Sequence, residues 1–484
     1  MKTLRNLFTM LAIISLGLFA SCQNQQKPVV NEATVELTKN PDWAKDAVIY
    51  EVNTRQFTEA GTFEAFQEHL PRLKELGVDI LWFMPIHPIG EKNRKGTLGS
   101  YYSIRDYKAV NPEFGDLESF KALVDKAHEM GFKVILDWVA NHTSFDHAWA
   151  TEHPEWYNRD ENGEIVSPFD WTDVADLNYE DNPALWEAMI DAMKFWVAEA
   201  NIDGYRCDVA GMVPVAFWGK ARTELDEIKP VFMLAEDEGE PALTDMAFGA
   251  NYGWELHHIF NKMYLFATDS LLSSGLERHL VFDVVVKSEN TTPDLWAYLE
   301  KNDSIFAPDV FRMTFTSNHD ENSWNGTVFE RLGDGTKAFA VLSYTIPGFP
   351  LIYNGQEAGL KKRLEFFEKD QIDWNQGSEY AELYTKLNQI KKNNPALWNA
   401  SYGGTMQPID INIPLEVLAF TREKDDNIIL VYINITDEQQ HVIVSSPEAY
   451  GNFKDLLSGD EMVINETTAL DIEPWSYYIL EEVR

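Results

Sequence analysis

The chain has 484 residues, of which 45% are hydrophobic, and its 40 Lys and Arg residues face 78 Asp and Glu residues for a formal net charge of −38. This length and composition exclude a disordered chain and predict one large core with a second, smaller one. The negative charge disfavours nucleic acid and anionic lipid as partners over most of the surface and is typical of a soluble protein.

The N-terminus has the pattern of an export signal. Lys2 and Arg5 precede an apolar run at 7–20, which is shorter than the roughly 20 residues of a membrane-spanning helix. The segment Leu-Phe-Ala-Ser-Cys at 18–22 resembles a bacterial lipobox, with ordinary secretory cleavage as the alternative. We therefore expect a signal peptide at 1–21, acylation of Cys22, a tether at 22–40, and a bacterial protein held outside the inner membrane by its N-terminal lipid alone.

Short runs rich in β-branched or aromatic residues recur eight times, separated by stretches with helical apolar spacing. The predicted strands are 47–52, 80–84, 133–138, 204–208, 231–235, 246–251, 312–317 and 350–353. The predicted helices include 64–76, 117–130, 183–200 and 380–392. Eight strand and helix units predict an α/β fold, a TIM (β/α)8 barrel at 41–394, whose chemistry gathers on the loops that follow the strands.

Two further regions complete the predicted architecture. Residues 142–177 are rich in Trp, Pro, Asn and Asp and exceed what a crossover requires, so they predict a short excursion domain after the third strand. From residue 395 the helical spacing stops, and the short runs 417–421, 427–433, 441–445 and 475–480 predict a C-terminal antiparallel β-sandwich at 395–484. With only two cysteines, Cys22 and Cys207, the chain offers no disulfide framework.

Polar clusters follow or close four of the predicted strands. They are Asp137 to His142, Gly204 to Asp208, Ala235 to Asp237, and Ser317 to Asp320. These segments resemble, in order, the four signature regions of the α-amylase family of glycoside hydrolases. The segments at 102–107, 111–115, 176–178 and 352–357 resemble further family segments, so the likeness covers 41–484. The resemblance implies the same barrel, excursion domain and sandwich, and the cleavage of α-1,4-glucosidic bonds in starch or malto-oligosaccharides with retention.

The resemblance also implies a role for each matched carboxylate. Asp208 matches the nucleophile, Glu236 the general acid/base, and Asp320 the carboxylate that stabilises the transition state. Retaining hydrolysis places the two reacting carboxyl groups about 5 to 5.5 Å apart. Arg206 lies two residues before Asp208 on the same face of a strand, so we expect it to orient Asp208 and to lower the pKa of that carboxyl. We expect the pKa of Glu236 to be raised.

Other matched positions are expected to bind the sugar. His142 and His319 resemble the family's pair that hydrogen-bonds sugar hydroxyls, and Tyr102 resembles the aromatic residue that stacks beneath the sugar. Asp137 resembles a position that supports Arg206 without touching substrate. Four tryptophans are candidates for additional sugar platforms, although core packing is the favoured interpretation for each: Trp138, Trp149, Trp171 and Trp324.

Two departures from the family pattern concern the sugar acceptor and metal binding. Gly211 and Met212 stand where typical α-amylases carry Lys-His, which removes a positive group facing the sugars beyond the cleavage point. Asn141 and Asn178 match positions that hold a structural calcium in many members, but the short excursion leaves the six to eight oxygen ligands of calcium in question. No cofactor is expected for the chemistry itself.

The precise specificity is left with alternatives. Gly99 stands where exo-acting glucosidases of the family often carry an Asp, which favours an open cleft and α-amylase-like action. Val209, directly after the nucleophile, is a residue type found in some α-1,6-acting relatives. The alternatives are an α-glucosidase, an α-1,6-acting enzyme, a 4-α-glucanotransferase and, from another class, a non-catalytic glucan-binding lipoprotein.

Overall fold

Eight parallel strands form a closed barrel in which each strand pairs with its neighbours in sequence and the eighth pairs with the first. The computed structural model describes residues 40–268, 292–375 and 378–483, so the predicted signal peptide and Cys22 lie outside the described residues. The barrel strands are Ile49–Val52, Ile80–Phe83, Lys133–Trp138, Gly204–Cys207, Phe232–Ala235, Ala250–Tyr252, Phe311–Thr314 and Phe349–Tyr353. The predicted TIM barrel is confirmed.

The barrel strands are buried on both faces, which explains their nearly continuous apolar sequences. Inward-pointing residues such as Ile49, Trp82 and Phe232 pack together in the barrel interior. Outward-pointing residues such as Tyr50 and Leu81 belong to a second core cluster shared with the surrounding helices. This alternation along each strand places every second residue at the strand ends toward the barrel axis.

The helices lie between successive barrel strands and follow most of the predicted positions. They are Thr54–Phe57, Phe63–Gln67, Leu70–Leu76, Leu117–Glu129, Ala148–Glu152, Pro183–Glu199, Val215–Asp226, Ala242–Met246, Trp254–Thr268, Thr292–Ile305, Val328–Leu332, Thr336–Thr345 and Ser378–Asn393, with a π-helical turn at Glu321–Asn325. Short 3-10 turns occupy Asp42–Ala44, Pro154–Trp156, Ala210–Met212, Gly333–Gly335, Gln356–Ala358, Pro395–Leu397, Ala400–Tyr402 and Pro447–Ala449. Within the described residues, none of these helices has the length and apolarity needed to span a bilayer.

Two predicted elements differ from the structure. The helix predicted at 64–76 is divided into two, because Pro71 has no backbone N–H and is accommodated only in the first turn of a new helix. The sixth strand, predicted at 246–251, is the shorter Ala250–Tyr252. Gly249 directly precedes it, and a Cβ atom there would lie 2.0 Å from Oδ1 of Asn40, so a larger residue would force the side chain of Asn40 to move.

The excursion domain and the C-terminal sandwich are both present. His142–Ser144 pairs antiparallel with Val174–Asp176 at the base of the excursion. The sandwich has a six-stranded sheet, in the order Thr405–Pro408, Val417–Lys424, Asn427–Asn434, Tyr477–Glu482, Gly451–Asp455 and Glu461–Ile464, and a two-stranded sheet of Gln440–Ile443 and Ala469–Ile472. Four of these strands escaped the sequence prediction because polar and exposed residues interrupt their apolar pattern: 405–408, 451–455, 461–464 and 469–472.

Candidate active site

Main-chain hydrogen bonds of the barrel position the two reacting carboxylates. The amide of Asp208 donates to the carbonyl of Trp138 at 2.9 Å, and the amide of Glu236 donates to the carbonyl of Cys207 at 3.0 Å. These bonds continue the parallel ladder by one residue past the fourth and fifth strands. Both side chains are nearly buried, with 11% of Asp208 and 12% of Glu236 exposed. The predicted nucleophile and acid/base are therefore neighbours fixed by the sheet.

Arg206, which is fully buried, joins three carboxylates. Its Nη1 donates to Oδ1 of Asp137 at 2.9 Å and to Oδ1 of Asp208 at 3.0 Å, while its Nη2 lies 2.8 Å from Oε1 of Glu236. Its Nε donates to the hydroxyl of Tyr252 at 3.1 Å. The orienting role predicted for Arg206 thus extends to Glu236, so one guanidinium fixes the positions of both reacting groups.

The electrostatic balance of this cluster differs from the expectation for Asp208. Burial raises the pKa of Asp208 to about 7, with the charge of Glu236 adding to the rise and Arg206 opposing it. Burial likewise raises the pKa of Glu236, to which Asp320 contributes, and the pKa of Asp137 to about 6. Arg206 lowers the pKa of Asp208 as predicted, but burial and the charge of Glu236 outweigh this effect, so the net shift is upward and not downward. The raised pKa of Glu236 is confirmed.

His319 carries a second positive charge in the site. Its Nδ1 lies 2.5 Å from Oε1 of Glu51, and its Nε2 lies 2.8 Å from the hydroxyl of Tyr102 and 3.4 Å from Oδ2 of Asp320. Burial opposes the protonated ring, but the charges of Asp320 and Glu51 outweigh it and raise the pKa of His319 to about 9. The imidazolium therefore faces Asp320, whose side chain is 35% exposed and open to a ligand.

Sequence reasoning missed Glu51. It lies in the first barrel strand, two residues after the inward-pointing Ile49, and is fully buried. A carboxylate at an inward position of an otherwise apolar strand is a signal that could have identified it, since buried charges require partners. Its partner, His319, lies 268 residues away in the chain.

Tyr102 connects the carboxylate cluster to His319. Its ring stacks on that of His319, with centroids 5.4 Å apart and planes inclined by 18°. Its hydroxyl donates to Oδ2 of Asp137 at 3.0 Å, and Nε1 of Trp82 donates to the same oxygen at 3.2 Å. Asp137 is thus placed as the sequence predicts, and it holds Arg206 and Tyr102 by hydrogen bonds.

His142 lies beside Tyr102 and, unlike His319, is uncharged. It is buried, and burial lowers its pKa to about 3, which leaves the ring neutral at pH 7. Its ring hydrogen-bonds with the backbone of Tyr102 and contacts the edge of Trp171, with centroids 5.6 Å apart. A neutral imidazole can both donate and accept a hydrogen bond, which suits a sugar hydroxyl.

The backbone after the nucleophile also contributes to the site. Val209 adopts a left-handed conformation with φ of 38°, which is uncommon for a β-branched residue. In this conformation its amide donates to Oε2 of Glu236 at 2.8 Å.

Gly211 is one of the two residues that depart from the family pattern. A Cβ atom at this position would lie 2.2 Å from Oδ2 of Asp237. Asp237 therefore occupies the space beside Gly211.

The residues matched to a calcium site make hydrogen bonds to their neighbours. Nδ2 of Asn141 lies 3.3 Å from Nδ1 of His142, and Oδ1 of Asn178 accepts the amide of Glu180 at 2.9 Å. Across the part of the chain that the structure describes, no cluster of three or more acidic, histidine or cysteine side chains is arranged to hold a metal ion. Calcium also takes amide and backbone carbonyl oxygens, so calcium at Asn141 and Asn178 stays a prediction, and no step of the chemistry is assigned to a metal.

Replacing Glu51 with Gln should change how stability depends on pH. The folded-state pKa of His319, about 9, lies above the ordinary value of 6.5, so its charge stabilises the fold fully below pH 6.5 and this contribution is lost as the pH rises to about 9. In Glu51→Gln one of the two negative charges that raise the pKa of His319 is gone, so this pKa should be lower. The unfolding free energy should therefore fall less between about pH 7 and about pH 9 than it does in the parent. Urea unfolding at both pH values measures it.

The exposed Glu64, in the helix Phe63–Gln67, gives a matched control, because Glu64→Gln removes a carboxylate that is not buried against a histidine. This variant should keep the pH dependence of the parent. The same loss of stability in Glu51→Gln as in the parent would show that Glu51 does not hold the charge on His319.

Comparisons with known proteins agree with this geometry. The family model described as "Alpha amylase, catalytic domain" matches residues 45–173 and 152–406, and the model described as "Maltogenic Amylase, C-terminal domain" matches residues 413–479. A maltogenic α-amylase of Bacillus acidopullulyticus is 26% identical over 499 aligned residues, covering 94% of this chain and 80% of that protein.

Solved structures give the same result over nearly complete chains. The crystal structure of an α-amylase from Lactobacillus plantarum is 30% identical with a TM-score of 0.77, covering 90% of this chain and 99% of that one. The crystal structure of a noncanonic maltogenic α-amylase from Thermotoga neapolitana is 29% identical with a TM-score of 0.78, covering 91% and 99%. The likeness therefore includes both the barrel and the C-terminal region.

Proposed function

This chain belongs to the α-amylase family of glycoside hydrolases, and on that premise we propose that it cleaves α-1,4-glucosidic bonds of starch or malto-oligosaccharides, with Asp208 and Glu236 as the reacting pair. The observation that supports this assignment is the buried guanidinium of Arg206, which binds both carboxylates from neighbouring strands. Retaining hydrolysis needs two carboxyl groups that flank one bond, and this arrangement supplies them.

The proposed reaction has two steps. In the first, a carboxylate oxygen of Asp208 bonds to the anomeric carbon while the glycosidic bond breaks and Glu236 gives its proton to the departing oxygen. In the second, water attacks the anomeric carbon, Glu236 takes a proton from that water, and the bond to Asp208 breaks. Two displacements at one carbon retain its configuration.

The surrounding residues have roles that follow from their charge. His319, as an imidazolium, donates from Nε2 to the hydroxyl of Tyr102 and lies beside Asp320, whose carboxyl oxygens accept hydrogen bonds from hydroxyls of the sugar at the cleavage point. Tyr102 presents its ring to the apolar face of the same sugar. The neutral His142, in the excursion domain, adds a further contact to this sugar. These contacts orient the anomeric carbon toward Asp208.

Removing either reacting carboxylate should abolish turnover without unfolding the protein. We expect Asp208→Asn and Glu236→Gln to lose at least about 1,000-fold in rate, because both groups act on the same barrier. The measurement is the release of fragments from reducing-end-labelled maltoheptaose. Asp237→Asn is the matched control, since Oδ1 of Asp237 accepts the amide of Glu240 and the side-chain oxygen of an Asn can do the same.

The products of that time course distinguish the related activities. Mid-chain fragments appearing first indicate an α-amylase, stepwise loss of glucose an α-glucosidase, and growth of longer chains a 4-α-glucanotransferase. Cleavage of a branched glucan in preference to maltoheptaose indicates an α-1,6-acting enzyme. Near-normal turnover in Asp208→Asn or Glu236→Gln would contradict the assigned roles, and glucan binding without any product would indicate a non-catalytic glucan-binding protein.

The proton on Glu236 should set the alkaline limit of activity. Burial and the charge of Asp320 raise the pKa of Glu236, so the general acid keeps its proton to a higher pH than an ordinary carboxyl and loses it as the pH rises through that raised pKa. Beyond this point no general acid remains, so kcat/KM for maltoheptaose should fall about tenfold per pH unit.

The control for this limit is a substrate whose leaving group needs no proton. With α-maltosyl fluoride the departing fluoride is stable as an anion, so kcat/KM should remain level over the alkaline range in which that for maltoheptaose falls. Parallel pH profiles for the two substrates would show that loss of the acid proton is not the cause of the alkaline limb.

Anchoring through Cys22 is a further part of the proposal, supported by the charged and apolar pattern at 2–20. In a bacterial host we expect labelled palmitate to enter the full-length chain and the chain to sediment with membranes. Cys22→Ala should lose both label and sedimentation. Label in the Cys22→Ala protein, or a parent chain that is released without label, would contradict the anchor.

A further inference from the structure

One tryptophan near the site is held at the surface. Of the four tryptophans considered as sugar platforms, Trp138 is fully buried, Trp149 packs against the main core and Trp171 lies beside His142. Trp324 instead keeps 51% of its surface exposed. It lies in the π-helical turn Glu321–Asn325, which begins directly after Asp320.

Trp324 continues an aromatic surface that starts at Tyr102. The ring of Phe366 lies nearly parallel to that of Tyr102, with centroids 6.1 Å apart and planes inclined by 13°. The ring of Trp324 follows, with its centroid 5.3 Å from that of Phe366 and its plane inclined by 42° to it. We call Phe366 and Trp324 the aromatic ledge. It extends the stacking surface of the site outward from the sugar at the cleavage point.

The ledge is held in place by hydrogen bonds on both of its sides. Nδ2 of Asn322 donates to the carbonyl of Lys362 at 3.1 Å, and Oδ1 of Asn322 accepts the amide of Leu364 at 2.8 Å. Oγ of Ser323 donates to the carbonyl of Leu364 at 3.0 Å. The turn that carries Trp324 is thereby fastened to the loop that carries Phe366, so the exposure of the indole is built into the structure.

A buried ion network fixes the same turn from the barrel side. Oε2 of Glu321 lies 3.0 Å from Nε2 of His257 and 3.7 Å from Nε of Arg331, and all three side chains are buried. Nη2 of Arg331 also donates to the carbonyl of Thr316 at 2.7 Å. A preorganised aromatic surface binds a flat partner without first having to be ordered, which favours affinity.

The position of the ledge on the barrel rim indicates which part of a glucan meets it. Trp324 and Phe366 follow the seventh and eighth strands, whereas Asp208 and Glu236 follow the fourth and fifth on the other side of the closed barrel. Because Glu236 protonates the departing oxygen, the departing part of the glucan lies toward the fifth strand. The ledge therefore faces the part that becomes bonded to Asp208.

We propose that the aromatic ledge binds the glucose unit next to the cleaved one, on the side retained by the enzyme, by stacking on the apolar face of that ring. This inference rests on the proposed function. A neutral sugar suits the place, because the net charge of −38 disfavours an anionic ligand and an exposed indole offers a flat apolar surface. The ledge then makes the enzyme select substrates with at least two units on that side.

Two fluoride substrates test the ledge. α-Glucosyl fluoride fills only the position over Tyr102, whereas α-maltosyl fluoride also reaches the ledge. Trp324→Ala should lower kcat/KM for α-maltosyl fluoride about tenfold, which corresponds to about 1.4 kcal/mol, and leave that for α-glucosyl fluoride within about twofold. Trp324→Phe, which keeps a flat ring, should restore most of the loss.

The control is Phe266→Ala, which removes an exposed aromatic ring, 47% exposed, from the helix Trp254–Thr268 outside the site. It should change neither value. An equal fall for both fluorides in Trp324→Ala would show that Trp324 acts by positioning Asp320 and would overturn the ledge. No change for either would overturn it as well. If the parent cleaves neither the fluorides nor maltoheptaose, the proposed function itself fails.

Discussion

The buried guanidinium of Arg206 allows carboxylates that would otherwise repel one another to share the top of the barrel. A charge that is removed from water requires close partners, and here they come from three consecutive strands: Asp137, Asp208 and Glu236. Because the side-chain period of a strand is two residues, Arg206 and Asp208 point to the same side. Replacing this cation with a neutral residue would leave several buried negative charges without compensation.

A second charged pair, His319 with Glu51, extends the same principle across the barrel. The two histidines predicted to bind the sugar differ in charge, since carboxylates surround His319 whereas burial dominates at His142. The site thus holds an imidazolium on one side and a neutral ring on the other. Tyr102 connects the two, and its hydroxyl also reaches Asp137. Charge state, and not residue type alone, gives each group its role.

Much of this arrangement could be predicted from the sequence because local patterns determine it. Apolar runs marked the barrel strands, and the polar residues at their ends located Asp208 and Glu236. The pairing of Glu51 with His319 depends on barrel closure over 268 residues, and the raised pKa of Asp208 depends on its burial beside Glu236, neither of which a local pattern contains. Exposure separated Trp324 from Trp138, which have the same residue type but different surroundings.

The residue whose carbonyl accepts the amide of Glu236 is a cysteine, Cys207. Cys207 is a free cysteine between Arg206 and Asp208, fully buried, and burial raises the pKa of its thiol well above the ordinary value. Nucleophilic attack and oxidation require an accessible thiolate. The sulfur beside the nucleophile is therefore chemically inert, and alkylating reagents or oxidants that inactivate thiol enzymes would leave this active site untouched.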